Sequence, residues 1–299
     1  MAEKYQLGTT LIAGSETVLV GVGGELHPLL RFALNPEPPA SLARIFDDWP
    51  SWRPRLGEAV ARFWSGSSRP APLPPEDVRW LAPILYPRKL VCLGENYADH
   101  VDEMKFAPLK LPYAFIKPPT TTLTGSGSEV TLLKEARMND WEIELAVVIG
   151  RRAKDVPEAN ALDYVAGYAV LNDVSARDWI AEKPELGIDW VMQKAPDGYA
   201  PMGPMITPAE FVPDPQDLDL ELTVNGQVMQ RSNTSKMVFT VRQVIAHLSK
   251  FVTLEPGDVI ATGTPSGTGF GHKPQVFLKP GDVVRATISG LGTLENRFV

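Results

Sequence analysis

The chain has 299 residues, 44% of them hydrophobic, a formal net charge of −7 and one cysteine. An acidic balance with no basic run interleaved with aromatics argues against a nucleic-acid partner. The lone Cys92 rules out an internal disulfide and any cysteine-based metal cluster. No apolar run approaches a membrane span, and MAEKYQLGTT lacks the basic-then-apolar layout of a secretory signal, so the protein reads as cytoplasmic with no membrane partner.

The first segment alternates short apolar runs with turns, as in TVLVGVGGELHPL (17–29). It then turns helical through SLARIF (41–46) and through Leu56, Ala59, Val60, Phe63 and Trp64 at helical spacing. This predicts a small N-terminal α+β domain over 1–85. It ends in the Pro-rich linker SSRPAPLPPED (67–77), whose prolines deny backbone donors and favour extended chain.

Residues 86–299 read mainly as strands: KLVCLG (89–94), YAFIK (113–117), EVTLL (129–133), DWEIELAVVIG (140–150) and VAGYAVLND (165–173). The run DLDLELTVNGQVMQ (217–230) alternates with period two around Asn225-Gly226, which predicts a hairpin with a type I′ turn. In TVRQVIAHLSKF (240–251), Val241, Val244, Ile245 and Leu248 form a helical stripe behind Thr240 as N-cap. The turns EPGDV (255–259) and KPGDV (279–283) each launch an apolar strand. Many strands and few helices predict an α+β fold, mainly β, rather than a doubly wound sheet.

The strand at 140–150 poses a chemical question. Period two puts Glu142 and Glu144 on one face with Ala146 and Val148, while Ile143, Leu145, Val147 and Ile149 fill the other. Two carboxylates about 7 Å apart along a buried strand repel one another and lose hydration, so something positive must sit beside them. Asp173 ends a second apolar strand. Three oxygen donors suit a hard ion such as Mg²⁺, but Glu-x-Glu is a weak motif, and on spacing alone a structural network of ion pairs, for example with Arg177, is the plainer reading.

In LGENYADHVDEM (93–104), a helical turn would bring His100 and Glu103 together, giving a base that can deprotonate water. A solvated turn with an incidental ion pair is the plainer reading. Lys194, in WVMQKAPDGYAPMGP, means little alone. TGTPSGTGFG (262–271) lacks the ending of a P-loop, and its Gly263 and Thr264 suit donors aimed at a carboxylate. Cys92 reads as a neutral core thiol, and His27, His247 and His272 as bystanders.

The ordered series LGENYADHVDE, FIKPPT, DWEIELAVVIG, YAVLNDVSARD, QKAPDGYAPMGP, NTSKMVFTV, LEPGDVIATGTPSGTG and SGLGTLENRFV resembles the fumarylacetoacetate hydrolase family across 86–299. The resemblance implies that family's mixed β-sandwich roll and a homodimer. It implies Mg²⁺ or Mn²⁺, with Ca²⁺ as a substitute, on Glu142, Glu144 and Asp173. It further implies that His100 and Glu103 activate water from a lid, and that Lys194, Thr264 and Gly263 touch a small 2-oxo acid substrate. One departure stands out: many members carry a substrate-contacting glutamine where this chain has Ile180, beside Trp179.

The expected reaction is metal-dependent hydrolysis of the C–C bond of a 2,4-dioxo acid through an enolate, giving pyruvate and a carboxylic acid. Decarboxylation of oxaloacetate, or isomerisation or hydration of an unsaturated 2-oxo diacid, reaches the same enolate. A non-enzymatic protein holding structural Ca²⁺ is the rival outside enzymology.

Overall fold

A computed structural model describes residues 3–66, 69–105, 109–181 and 187–299. The fold is α+β and mainly strands, and the Glu-bearing strand Ile143–Ile149 lies deep within it. Ile143, Leu145, Val147 and Ile149 enter one core while Ala146 and Val148 enter another, as strand periodicity requires. On one side it pairs antiparallel with Val165–Asn172, and on the other with Val259–Ala261. Leu90–Gly94 runs parallel to Val259–Ala261, and Tyr113–Lys117 closes that edge.

In the other direction, Val165–Asn172 pairs with Ala200–Pro208, and Tyr5–Ile12 then adds to the same sheet through Leu7↔Ile206 and Gly8↔Met205. Ser15–Val22 and Glu25–Pro28 complete it. The helices Leu42–Asp47 and Trp49–Ser65 pack Ile45, Trp49, Trp52 and Leu56 into the core that holds Ala146 and Val148. The sheet and this core include residues from both sides of residue 85. Of the Pro-rich segment, Ser67 and Ser68 lie outside the described residues, and Pro75–Asp77 forms a 3-10 turn.

The opposite core is capped by a five-stranded sheet in the order Gln227–Asn233, Asp219–Val224, Val283–Ile288, Gly292–Phe298, Glu129–Val130. The hairpin forms as expected, with Asn225 and Gly226 at φ 50° and 81°. The helix Val241–Phe251 begins at Thr240, whose hydroxyl accepts from Gln243 N–H while the Gln243 side chain accepts from Thr240 N–H. The strand expected over 129–133 is shorter, Glu129–Val130. Leu132 N–H donates instead to the Val299 carbonyl. Among the described residues no helix is long and apolar enough to cross a membrane.

Candidate metal and active site

The register Ile143↔Asn172 brings the start of one central strand beside the end of the next. Glu142 and Glu144 therefore meet Asp173, and one carboxylate oxygen from each lies within 4.8 Å of the others. Backbone bonds lock this corner: Asp173 N–H donates to the Glu142 carbonyl at 2.9 Å, and Glu142 N–H to Asn172 Oδ1 at 2.9 Å.

Three buried cations surround the carboxylates. Lys194 Nζ bridges Glu142 Oε2 at 2.9 Å and Asp173 Oδ2 at 2.7 Å. Lys117 Nζ donates to Asp173 Oδ1 at 2.5 Å and to the carbonyls of Val174 and Tyr199. Arg177 reaches Asp140 Oδ2 at 3.0 Å and Glu142 Oε1 at 2.5 Å. The charge network that sequence left open as an alternative is present around the triad.

It does not neutralise the triad evenly. Burial would push the Glu142 carboxyl up, but Lys194 and Arg177 outweigh it and hold the group at about 2. Burial, Asp173 and Glu142 all push Glu144 well above the carboxylate range. Its Oε2 accepts from Gly263 N–H at 2.8 Å, whereas its Oε1 is buried without a hydrogen-bond partner. Three hard oxygen donors with one orphaned acceptor fit a divalent cation, and Mg²⁺ and Mn²⁺ both suit that donor set.

A cavity of about 440 Å³ opens over this corner, with Glu142, Arg177, Lys194, Thr264 and His100 among its lining. His100 and Glu103 lie on the helix Ala98–Met104, and His100 Nδ1 is 3.1 Å from Glu103 Oε2. That contact leaves Nε2 as the ring nitrogen free to face the cavity. Glu103 Oε1 in turn accepts from Gly267 N–H at 3.0 Å. Burial would raise the Glu103 carboxyl, but the His100 and Gly267 bonds hold it below its ordinary value. The expected lid continues into residues 106–108, which lie outside the described residues.

Two expected substrate contacts are otherwise engaged. Gly263, at φ +94°, spends its N–H on Glu144, so it positions a carboxylate rather than facing the cavity with a free donor. The Thr264 hydroxyl lines the cavity but donates to the Ile143 carbonyl and accepts from Gln230 Nε2, each at 2.9 Å. Ile180 lines the cavity, while Trp179 packs against the core. Cys92 is buried and its thiol is pushed up by burial and by Asp173, which makes it inert. His27, His247 and His272 do not line the cavity.

Sequence reasoning missed Lys117 and Asp140. Asp140 accepts from Gly269 and Phe270 N–H and pairs with Arg177, tying the 262–271 loop to the triad. The available signal for Lys117 was its place at the end of the apolar strand YAFIK, immediately before two prolines.

Residues 89–299 match the family description "Fumarylacetoacetate (FAA) hydrolase C-terminal". The chain is 44% identical over 246 residues to a Homo sapiens protein named oxaloacetate tautomerase FAHD2B, mitochondrial, covering 81% of this chain and 77% of that one. It resembles the crystal structure of 5-carboxymethyl-2-hydroxymuconate delta-isomerase from Mycobacterium smegmatis at a TM-score of 0.73 and 32% identity, over 98% of both chains. It also resembles fumarylpyruvate hydrolase from Pseudomonas aeruginosa in complex with Mn²⁺ and pyruvate. There the TM-score is 0.65 and the identity 34%, over 71% of this chain and 89% of that one.

Proposed function

The chain belongs to the fumarylacetoacetate hydrolase family, and we propose that it hydrolyses the C3–C4 bond of a 2,4-dioxo acid to give pyruvate and a carboxylic acid. The observation that carries this reading is the His100–Glu103 pair, whose His100 lines the same cavity as Glu142 of the carboxylate triad. A divalent ion on Glu142, Glu144 and Asp173 would supply Lewis-acid polarisation of the substrate's carboxylate and keto oxygens.

The chain's own groups do the rest. Glu103 holds His100 Nδ1, so Nε2 takes a proton from water. The resulting hydroxide adds to the C4 carbonyl, and collapse breaks the C3–C4 bond, releasing the acid and the enolate of pyruvate. Lys194, which lines the cavity and pairs with Asp173, would supply positive charge to the developing enolate oxygen. The proton that His100 took from water then goes to C3, which completes pyruvate and restores the base. Thr264 would meet the substrate carboxylate by turning its hydroxyl away from Ile143. A homodimer is the assembly we propose from the family resemblance, to be tested by light scattering.

A second reading is keto–enol tautomerisation of a 2-oxo acid, with His100 moving a proton to or from C3 and no water added. The likeness to the human protein named as an oxaloacetate tautomerase favours it. The experiment is to strip the protein with chelator and then add Mg²⁺ or Mn²⁺. Pyruvate release from a panel of acylpyruvates is followed beside enol loss and decarboxylation of oxaloacetate. Metal-dependent pyruvate from acylpyruvates upholds hydrolysis; acceleration of enol loss alone replaces it with tautomerisation, and carbon dioxide release from oxaloacetate alone with decarboxylation. Silence on every substrate, with Mg²⁺ still bound, would favour a structural ion.

A further inference from the structure

Most polar groups of the cavity are committed to one another. Lys194 and Arg177 are paired with carboxylates, His100 with Glu103, and Thr264 with Ile143 and Gln230. Gln193 is different. It sits in the helix Trp190–Lys194, lines the cavity, is 1% exposed, and its Oε1 is buried without a partner among the described residues. A buried amide left unpaired is unfavourable, and a ligand that supplies its missing bond is favoured in proportion.

Glu95 lines the same cavity. Its backbone is left-handed, at φ +59°, a conformation that non-glycine residues seldom adopt outside constrained or functional positions. Ile180, Ile188 and Trp190 line the cavity as well. Among the described residues the cavity therefore offers a bound substrate an unpaired amide, apolar surface and a carboxylate, while its cations Arg177 and Lys194 are already paired with carboxylates.

We propose that the cavity selects 2-oxo acids with one carboxylate and a neutral, hydrogen-bonding tail: the Gln193 amide binds the tail, and Glu95 repels a second carboxylate. Specificity of this kind comes as much from the repulsive group as from the attractive one. The inference rests on the reading that the triad end of the cavity takes the 2-oxo acid group.

The test is calorimetric binding to the full chain in Mg²⁺, with three unreactive ligands of similar length: 2-oxoglutarate, its 5-methyl ester and 2-oxohexanoate. Wild type is expected to bind the ester about tenfold more tightly than 2-oxoglutarate. Glu95→Gln should shrink that gap to about threefold or less. Gln193→Leu and Gln193→Met should weaken the ester several-fold while leaving 2-oxohexanoate in place. Equal or tighter binding of 2-oxoglutarate by wild type, a gap unmoved by Glu95→Gln, or equal losses of ester and 2-oxohexanoate in both Gln193 variants would overturn the proposal. Failure of all three ligands to bind would bring down the functional reading along with it.

Discussion

Lys117 Nζ lies 2.5 Å from Asp173 Oδ1, and neither side chain is exposed to solvent. Removing one member of a buried pair strands the other's charge, which costs about 3–5 kcal/mol. Lys117→Met should therefore lower stability by that order in denaturant titrations of the metal-free protein. Part of the loss should return when Mg²⁺ supplies positive charge to Asp173. A variant as stable as wild type would show that Asp173 does not depend on this lysine.

Glu144 responds in the opposite sense. Its carboxyl is buried, crowded by Asp173 and Glu142, and carries an orphaned oxygen. Glu144→Gln removes a charge that the metal-free fold tolerates poorly, so the chelator-treated variant should melt no lower than wild type. Mg²⁺ or Mn²⁺ at a hundredfold excess over Kd should stabilise wild type by about 2.7 kcal/mol. Thermal melts of Glu144→Gln should show most of that increment gone. An undiminished increment would place the ion elsewhere.

The His100–Glu103 contact carries a pH signature. Glu103 is held below its ordinary value of 4.5, so its contribution to stability is complete above that value and fades as pH falls through the lower folded one. The urea midpoint of wild type should exceed that of Glu103→Gln at neutral pH, and the two should converge below about pH 4.5. His100→Ala, by contrast, should reduce turnover by about 10²–10⁴-fold without abolishing Mg²⁺ binding. Retention of full turnover would remove the base from the mechanism.

Local pattern explains what the sequence made legible. The two-core alternation of Ile143–Ile149, the Asn225-Gly226 turn and the Thr240 cap each depend on neighbours in the chain, and each appears as its spacing requires. Strand ends made Glu142, Glu144 and Asp173 candidates, but it was the family resemblance that joined them into one site, and their carboxylates do meet. Lys117 was not, because its partners lie 56 to 82 residues away and a strand-end lysine looks like any surface charge. The same holds for Tyr5–Ile12, whose place beside Ala200–Pro208 follows from long-range pairing that no local signal records. Gly263 shows the limit at a single atom: its loop was identified, but the target of its N–H needed the folded register.

That glycine gives the last prediction. Gly263 and Gly226 both hold positive φ, at +94° and +81°, so alanine at either position bears a backbone cost of about 1–2 kcal/mol. Around Gly226 a new Cβ meets nothing within 4 Å, whereas at Gly263 it would lie 2.7 Å from Asn96 Cβ. Asn96 cannot yield cheaply, because it clamps the Thr262 and Phe239 carbonyls and accepts from Phe239 N–H. Gly263→Ala should then destabilise the protein more than Gly226→Ala in parallel urea titrations. Because the displaced loop also carries the donor to Glu144, only Gly263→Ala should weaken Mg²⁺ binding. Equal stability losses with unchanged metal affinity in both variants would mean that the close approach of Gly263 to Asn96 has no bearing on the triad.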